Sequence, residues 1–294
     1  MITEIAPAPR RVVSEPVRPR GGRRAWDEVP RWQIYLPLSV YLLFTLIPFY
    51  WILLFALRPA GSTSLVPWPM TFDHFEKVWT ERSFGLYFYN SVLVGIATLV
   101  LTTVVALAGG YALARFDFRL KRGFMLALLC SQFVPGALLL VPLFQIFAEL
   151  SMINSLASVI IAETVFQLPL SMILISGFIK NVPPSLEEAA WVDGCSRFAA
   201  FRIVVLPMLR PGLIAVGSFA FVHAWNHFLF ALMFLSDQSK QTIPVGLNTL
   251  MNADSVDLGA LAAGGIVAAV PVVIVFAFIQ KWLITGFSAG AVKG

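Results

Sequence analysis

The side chains equipped to act on another molecule fall into two groups. The first is embedded in apolar sequence. Glu163 stands deep in a run covering about 155–178, with Gln167 one helical turn further on, and a later run carries His223, Trp225, Asn226 and His227. A carboxylate at mid-membrane costs about 2.5–3.5 kcal/mol on insertion scales, so it must face other helices or water. Hydrogen-bonding groups beside aromatic faces such as Phe133, Phe166 and Trp225 are the chemistry that holds a hydroxyl-rich solute. The same groups can instead join helices, or bond backbone freed near Pro135 and Pro169.

The second group lies in a polar interruption, residues 183–211, PPSLEEAAWVDGCSRFAAFRIVVLPMLRP. Pro183 and Pro184 end the run before it. Ser185 precedes Glu188 by three residues, a capping-box spacing that predicts a new helix. Glu187 and Glu188 then occupy its first turn, where the helix dipole favours acids. Ala189 and Ala190 favour helix and leave a smooth surface. Asp193 and Gly194 follow two turns on, where a C-terminal cap is expected. Ser196 can cap a second short helix through Phe198, Ala199 and Ile203, closed by Leu206 and Pro207. The product is a helix–turn–helix elbow, which on physical grounds alone also suits a surface helix resting among lipid headgroups.

Other chemistries have little material. The three histidines, His74, His223 and His227, form no serine–histidine–acid or metal-ligand pattern, so neither catalytic nor metal residues are expected. Cys130 and Cys195 lie in unlike settings, and no disulfide is predicted. No G-x-x-x-x-G-K-[ST] phosphate loop occurs. Gly109-Gly110 and Gly264-Gly265 sit inside apolar runs and read as sites of close helix packing.

The elements that must position these residues are membrane spans. The chain is 58% hydrophobic and 13% charged, with a mean hydropathy of +0.81. A soluble domain carries about 25% charged residues. Six apolar runs, about 34–57, 88–113, 124–148, 155–178, 211–235 and 258–280, are long enough to cross a bilayer as helices. They are continuous rather than alternating, which excludes a barrel. With the N-terminus inside, all but four of the 21 lysines and arginines fall on the cytoplasmic side, the exceptions being Arg58, Lys77, Arg82 and Lys240. Both termini are therefore predicted to be cytoplasmic. Residues 1–31 hold seven arginines and five prolines without an apolar stretch, and read as a disordered cytoplasmic tail rather than a signal peptide. The outside loops 59–87 and 236–257 are long enough to receive a partner.

The 183–211 segment resembles the EAA loop of ABC importer permeases: Glu188-Ala189-Ala190, Gly194 after three intervening residues, then Val204-x-Leu206-Pro207 after nine more. Val204 replaces the isoleucine of that pattern. The resemblance extends over about 33–294 and takes in Tyr89-Asn90-Ser91, the Gly110–Phe116 stretch, Pro142-Leu143-Phe144, Trp225-Asn226 and the ending Gly290–Gly294. The ending looks like that of carbohydrate permeases related to the smaller maltose-system permease. His227 stands where many relatives carry an acid, and Trp191 and Cys195 are less usual choices.

The resemblance implies an all-α polytopic fold with six spans in a domain over 32–294. It implies a non-catalytic permease subunit of an ATP-driven importer in a bacterial cytoplasmic membrane, moving a sugar or oligosaccharide inward. Glu187, Glu188, Ala189, Ala190, Asp193, Gly194, Leu206 and Pro207 would couple it to ATPase partners. Glu163, Gln167, His223, Trp225 and Asn226 would line the substrate path. The chain would bind no cofactor; ATP and Mg would be used by two ATP-binding subunits. A second homologous permease chain, an extracytoplasmic solute-binding protein and membrane lipid complete the expected partners, with no nucleic acid. Other readings are a permease for a non-sugar cargo such as a glycerophosphodiester, and an ATP-independent secondary carrier, which would leave the elbow unexplained.

Overall fold

The computed structural model describes residues 30–81, 83–251 and 256–291, with the side chains of its last helix described as far as Gln280. Residues 1–29 of the expected tail, Asn252 of the second outside loop and the final residues 292–294 lie outside the described residues, while Arg31, expected in that tail, opens the first helix.

Every regular element among the described residues is helical. In chain order these are α1 (Arg31–Leu57), α2 (Asp73–Glu81), α3 (Phe84–Arg115), α4 (Lys121–Ser131), α5 (Leu140–Glu149), α6 (Leu156–Lys180), α7 (Pro184–Val192), α8 (Arg197–Ala200), α9 (Leu206–Met208), α10 (Arg210–Asn226), α11 (Leu229–Phe234), α12 (Ile243–Met251) and α13 (Leu258–Ala291). A 3₁₀ turn, Gly136–Leu139, leads into α5, and a π-type turn, Phe201–Val205, joins α8 to α9. The chain divides into two units, residues 1–49 and 50–294. The first holds most of α1, whose apolar side chains, Leu43 and Phe44 among them, are exposed as a lipid-facing helix requires. The contacts below lie within the second unit.

Four helices, α1, α3, α6 and α13, are long and apolar enough to cross a bilayer, and the count reaches six if each of two bent pairs is one span. The third span was expected to run unbroken over 124–148. Instead, α4 and the segment through α5 meet at 98°, with the break at 132–135. Pro135 explains the position: it lacks the N–H that would continue α4, and its ring disfavours helical backbone at Val134. The fifth span, expected over 211–235, stops at Asn226. His227 is extended (φ −75°, ψ 122°) before α11 begins. The second bend, 74°, separates the α8–α9 stretch from α10.

The core forms where α3, α6 and α10 pack together, with α13 closing on α10 and α2. Ser155 starts α6 by accepting a hydrogen bond from the Ala157 amide at 3.3 Å. The α3–α6 contact is close because Gly110 has no side chain: a Cβ there would stand 2.7 Å from Ile175 Cγ2 and 3.1 Å from the Ser176 amide nitrogen. Gly264 is similarly crowded by Leu247 and Phe84, whereas Gly265 faces open space, so only the first of that expected packing pair meets a neighbour. At about 1.5 Å per residue, the 32 residues of α3 exceed a 30 Å hydrocarbon core. Its last turn therefore carries Arg115 out toward the polar segment that follows α6.

Candidate functional site

The elbow begins two residues earlier than the capping box predicts. Pro184 occupies the first position of α7, where its fixed φ suits helix and its missing N–H costs nothing. Ser185 is consequently inside the helix, and no side chain caps its start. The C-terminal end matches expectation. The Gly194 amide donates to the Trp191 carbonyl at 3.0 Å and the Cys195 amide to the Ala190 carbonyl at 2.9 Å, a Schellman closure. Gly194 adopts φ +87°, the left-handed region that glycine enters without steric cost. Ser196 then caps α8, accepting from the Ala199 amide at 3.2 Å. Leu206 and Pro207 do not close that helix. The chain continues through them and bends at Leu209.

The two glutamates of α7 part ways. Glu187 is 2% exposed and turned inward. Arg115 Nε donates to its Oε1 at 2.6 Å, and the Tyr111 hydroxyl donates to Oε2 at 2.8 Å. Arg115 also donates through Nη2 to the Val182 carbonyl at 2.9 Å. One guanidinium thus ties the end of α3 to the end of α6 and to α7. Glu188, Ala189, Trp191, Val192 and Asp193 face out. Val192 is 88% exposed and Phe198 73%, so the elbow's outer surface is unusually apolar for a polar loop. A cavity of about 280 Å³ beneath it is lined by Tyr111, Arg115, Glu187, Glu188, Trp191 and Arg197.

The second constellation lies at the contact of α6 and α10. Glu163 is 0% exposed. His223 Nδ1 stands 3.0 Å from its Oε2 in hydrogen-bond geometry. His227 Nδ1 stands 2.6 Å from Oε1 but out of line for a hydrogen bond. The His223 ring stacks with Phe166 (5.9 Å, 22°) and with His227 (5.2 Å, 20°). Beside them is a shallow concavity of about 430 Å³ lined by Gln167, Leu170, Phe219, Val222, His223, Asn226 and His227. Polar groups at this depth are too costly to face lipid, so this face belongs against protein or water.

Residues 106–288 match the family described as the binding-protein-dependent transport system inner membrane component. The chain belongs to this family. It is 33% identical over 276 residues to the diacetylchitobiose uptake system permease protein DasC of Streptomyces coelicolor, covering 92% of this chain and 98% of that one. It is 31% identical over 256 residues to the trehalose transport system permease protein SugB of Mycobacterium tuberculosis, covering 85% and 93%. Among solved structures, a bacterial ABC transporter that imports the acidic polysaccharide alginate shares the fold, with a TM-score of 0.73 over 86% of this chain and 98% of that one at 19% identity. The chain is thus an all-α ABC importer permease, and its relatives are transport subunits rather than enzymes.

The permease's expected path residues separate in space. Gln167, His223 and Asn226 border one concavity. Glu163 lies behind it, covered by the histidines. Trp225 points elsewhere: it is buried against Phe221 and Phe88, and its Nε1 donates to the Ala268 carbonyl at 3.0 Å, joining α10 to α13. Arg115 and Tyr111 carry the elbow's anchorage, although the sequence reading singled out neither for that role. The structure puts only Glu187, not Glu188, in the first turn of α7, and it is Glu187 that is buried and takes its cation from α3.

Proposed function

We propose that this permease conducts a sugar or oligosaccharide inward across a bacterial cytoplasmic membrane, driven by ATP hydrolysis in two separate ATP-binding subunits that use ATP and Mg. A second homologous permease chain would complete the path, and an extracytoplasmic solute-binding protein would deliver the cargo. Both termini lie in the cytoplasm in this reading, and residues 32–294 form the transport domain. The names of the relatives support the cargo class: diacetylchitobiose, trehalose and, in Halalkalibacterium halodurans, arabinooligosaccharides.

The observation that carries the proposal is the elbow. Its inner side is fixed to α3 through Glu187, while its outer side offers apolar Val192 and Phe198 with Glu188 between small Ala189 and the solvent. Such a surface suits docking in a cleft of an ATPase, with Glu188 available to a basic partner residue. Ala189 and Ala190 would allow close approach, Asp193 and Gly194 would set the turn, and Leu206 and Pro207 would pass the movement to α10. Gln167, His223 and Asn226 would then border the cargo path.

The test is purification of the tagged chain from its native membrane, identification of co-purifying proteins, and reconstitution in liposomes. An ATPase with a phosphate loop, a second permease and a binding protein are expected, with uptake dependent on ATP. In the same complex, Glu188→Lys and Gly194→Asp should leave the chain inserted but separate ATP hydrolysis from uptake. Solute movement by the chain alone, without ATP, would establish a secondary carrier instead.

A further inference from the structure

Glu163 was expected on the path, yet it has no exposed surface and sits behind the residues that do. Its contacts give it a different task. A carboxylate only accepts hydrogen bonds, so the His223 nitrogen aligned on it, Nδ1, must carry the proton. In neutral imidazole that leaves Nε2 as a bare acceptor. The ring stacks with both Phe166 and His227, contacts that hinder the rotation by which it would exchange its nitrogens. Among the described residues Nε2 has no hydrogen-bond partner, and the side chain is 33% exposed on the concavity it shares with Gln167 and Asn226.

We propose that Glu163 is a positioning residue that holds His223 in its Nδ1–H tautomer and so presents the Nε2 lone pair to a hydroxyl of the passing cargo. His227, whose Nδ1 stands 2.6 Å from the other carboxylate oxygen, covers the acid on its second side. This assignment rests on the proposed sugar path. It gives that path a fixed acceptor beside two amides, Gln167 and Asn226, that supply donors.

The tautomer can be read directly. The chain has three histidines, so an importer assembled from ¹⁵N-histidine-labelled permease and unlabelled partner subunits gives few imidazole signals, and a His74→Gln variant and a His227→Gln variant assign them. His223 is expected to show an unprotonated Nε2 in the wild type, and to lose that preference in Glu163→Gln, whose amide can donate to Nδ1. A wild-type His223 protonated on Nε2, or one unmoved by Glu163→Gln, overturns the assignment. Uptake of ¹⁴C-diacetylchitobiose separates presentation to cargo from a purely structural bond. His223→Asn keeps a donor near the Nδ1 position and removes the Nε2 edge, while His223→Gln keeps a polar group near Nε2. Uptake is expected to fall at least tenfold in His223→Asn at normal complex yield, with partial recovery in His223→Gln. Uptake by His223→Asn equal to wild type overturns the proposal with the importer reading intact. A wild-type complex that moves no diacetylchitobiose counts against that cargo, and the tautomer measurement then decides the proposal by itself.

Discussion

Arg115→Met puts the anchorage of the elbow to its most direct test. Methionine keeps an apolar stem that reaches about as far as Nε but deletes the guanidinium, and with it the 2.6 Å bond to Glu187 and the 2.9 Å bond to the Val182 carbonyl. The Glu187 side chain, 3% exposed, keeps only the Tyr111 hydroxyl. Removing one partner of a buried ion pair costs about 3–5 kcal/mol, because the remaining charge is desolvated without compensation. The cost falls on the state in which α7 is docked. Opening of α7 away from α3 returns Glu187 to water and relieves it, while the three-helix core of α3, α6 and α10 stays shut. At about 1.4 kcal/mol per factor of ten, the opening equilibrium should rise by roughly two to three and a half orders of magnitude. Amide hydrogen exchange of the detergent-solubilised protein measures this, with the α7 amides as reporter and those of α3 and α6 as internal reference. Glu187→Gln should open α7 less, since its carbonyl still accepts. The double variant Arg115→Met with Glu187→Met should recover much of the protection, because an apolar pair of similar size replaces both charges. Exchange in residues 184–192 unchanged by Arg115→Met, or a double variant less protected than either single one, would refute the view that this pair anchors the elbow.

Three further outcomes follow from local geometry. Gly194→Ala meets no neighbour within 4 Å but must hold φ near +87°, so it should cost about 1–2 kcal/mol of elbow stability and lower the cargo moved per ATP, while Gly194→Asn costs less; equal transport ratios for the two would remove the backbone argument. Gly110→Ala drives a methyl into Ile175 and the α6 backbone and should lower stability by about 1–3 kcal/mol, whereas Gly265→Ala should be neutral; thermal unfolding in detergent distinguishes them. On the other side of the span, Asp257 bonds Lys77 Nζ at 2.8 Å and caps α13 through the Ala260 amide at 3.0 Å. Partial burial pushes its carboxyl up, but the Lys77 and Ala260 bonds and the Lys77 and His74 charges outweigh it and hold the group below the usual aspartate range. The stability it contributes is therefore complete above the ordinary pKa of about 3.9 and lost as pH falls through the lower folded value. Asp257→Asn should destabilise by under about 1 kcal/mol at pH 7, since Lys77 is partly exposed, and the difference from wild type should shrink as pH falls below about 3.9. A difference that stays constant as pH falls below about 3.9 would show that charge is not its source.

What could be read in advance was whatever depends on local pattern. Apolar length located the spans because a bilayer imposes one length on any helix that crosses it. The left-handed residue at Gly194 and the cap at Ser196 were readable because their hydrogen bonds close within a few residues. The start of α7 was misjudged by a conflict between two local signals: a capping box at Ser185 and a proline suited to the first helical position. The proline prevailed because its φ is fixed by a covalent ring, while the box depends on two side chains choosing each other. The broken third span carried its cause in Pro135, but nothing local says whether proline kinks a membrane helix or ends it.

The parts that were not legible join residues far apart in sequence, and both depend on an acid. Glu187 finds Arg115 72 residues away, and Glu163 finds His223 60 residues away. Composition says only that a buried carboxylate needs partners; it does not say which element supplies them. One clue was present. His223 and His227 are four residues apart, the spacing that puts two side chains on one face of a helix, so a single carboxylate on a neighbouring helix can meet both. The helix in fact ends at Asn226, and the extended backbone of His227 brings its ring to the other oxygen of Glu163 while the Phe166–His223–His227 stack is kept. An acid expected on the path is thereby set behind the concavity, whose polar lining includes the neutral amides Gln167 and Asn226 and a ring edge of His223 that the hidden acid contacts from behind.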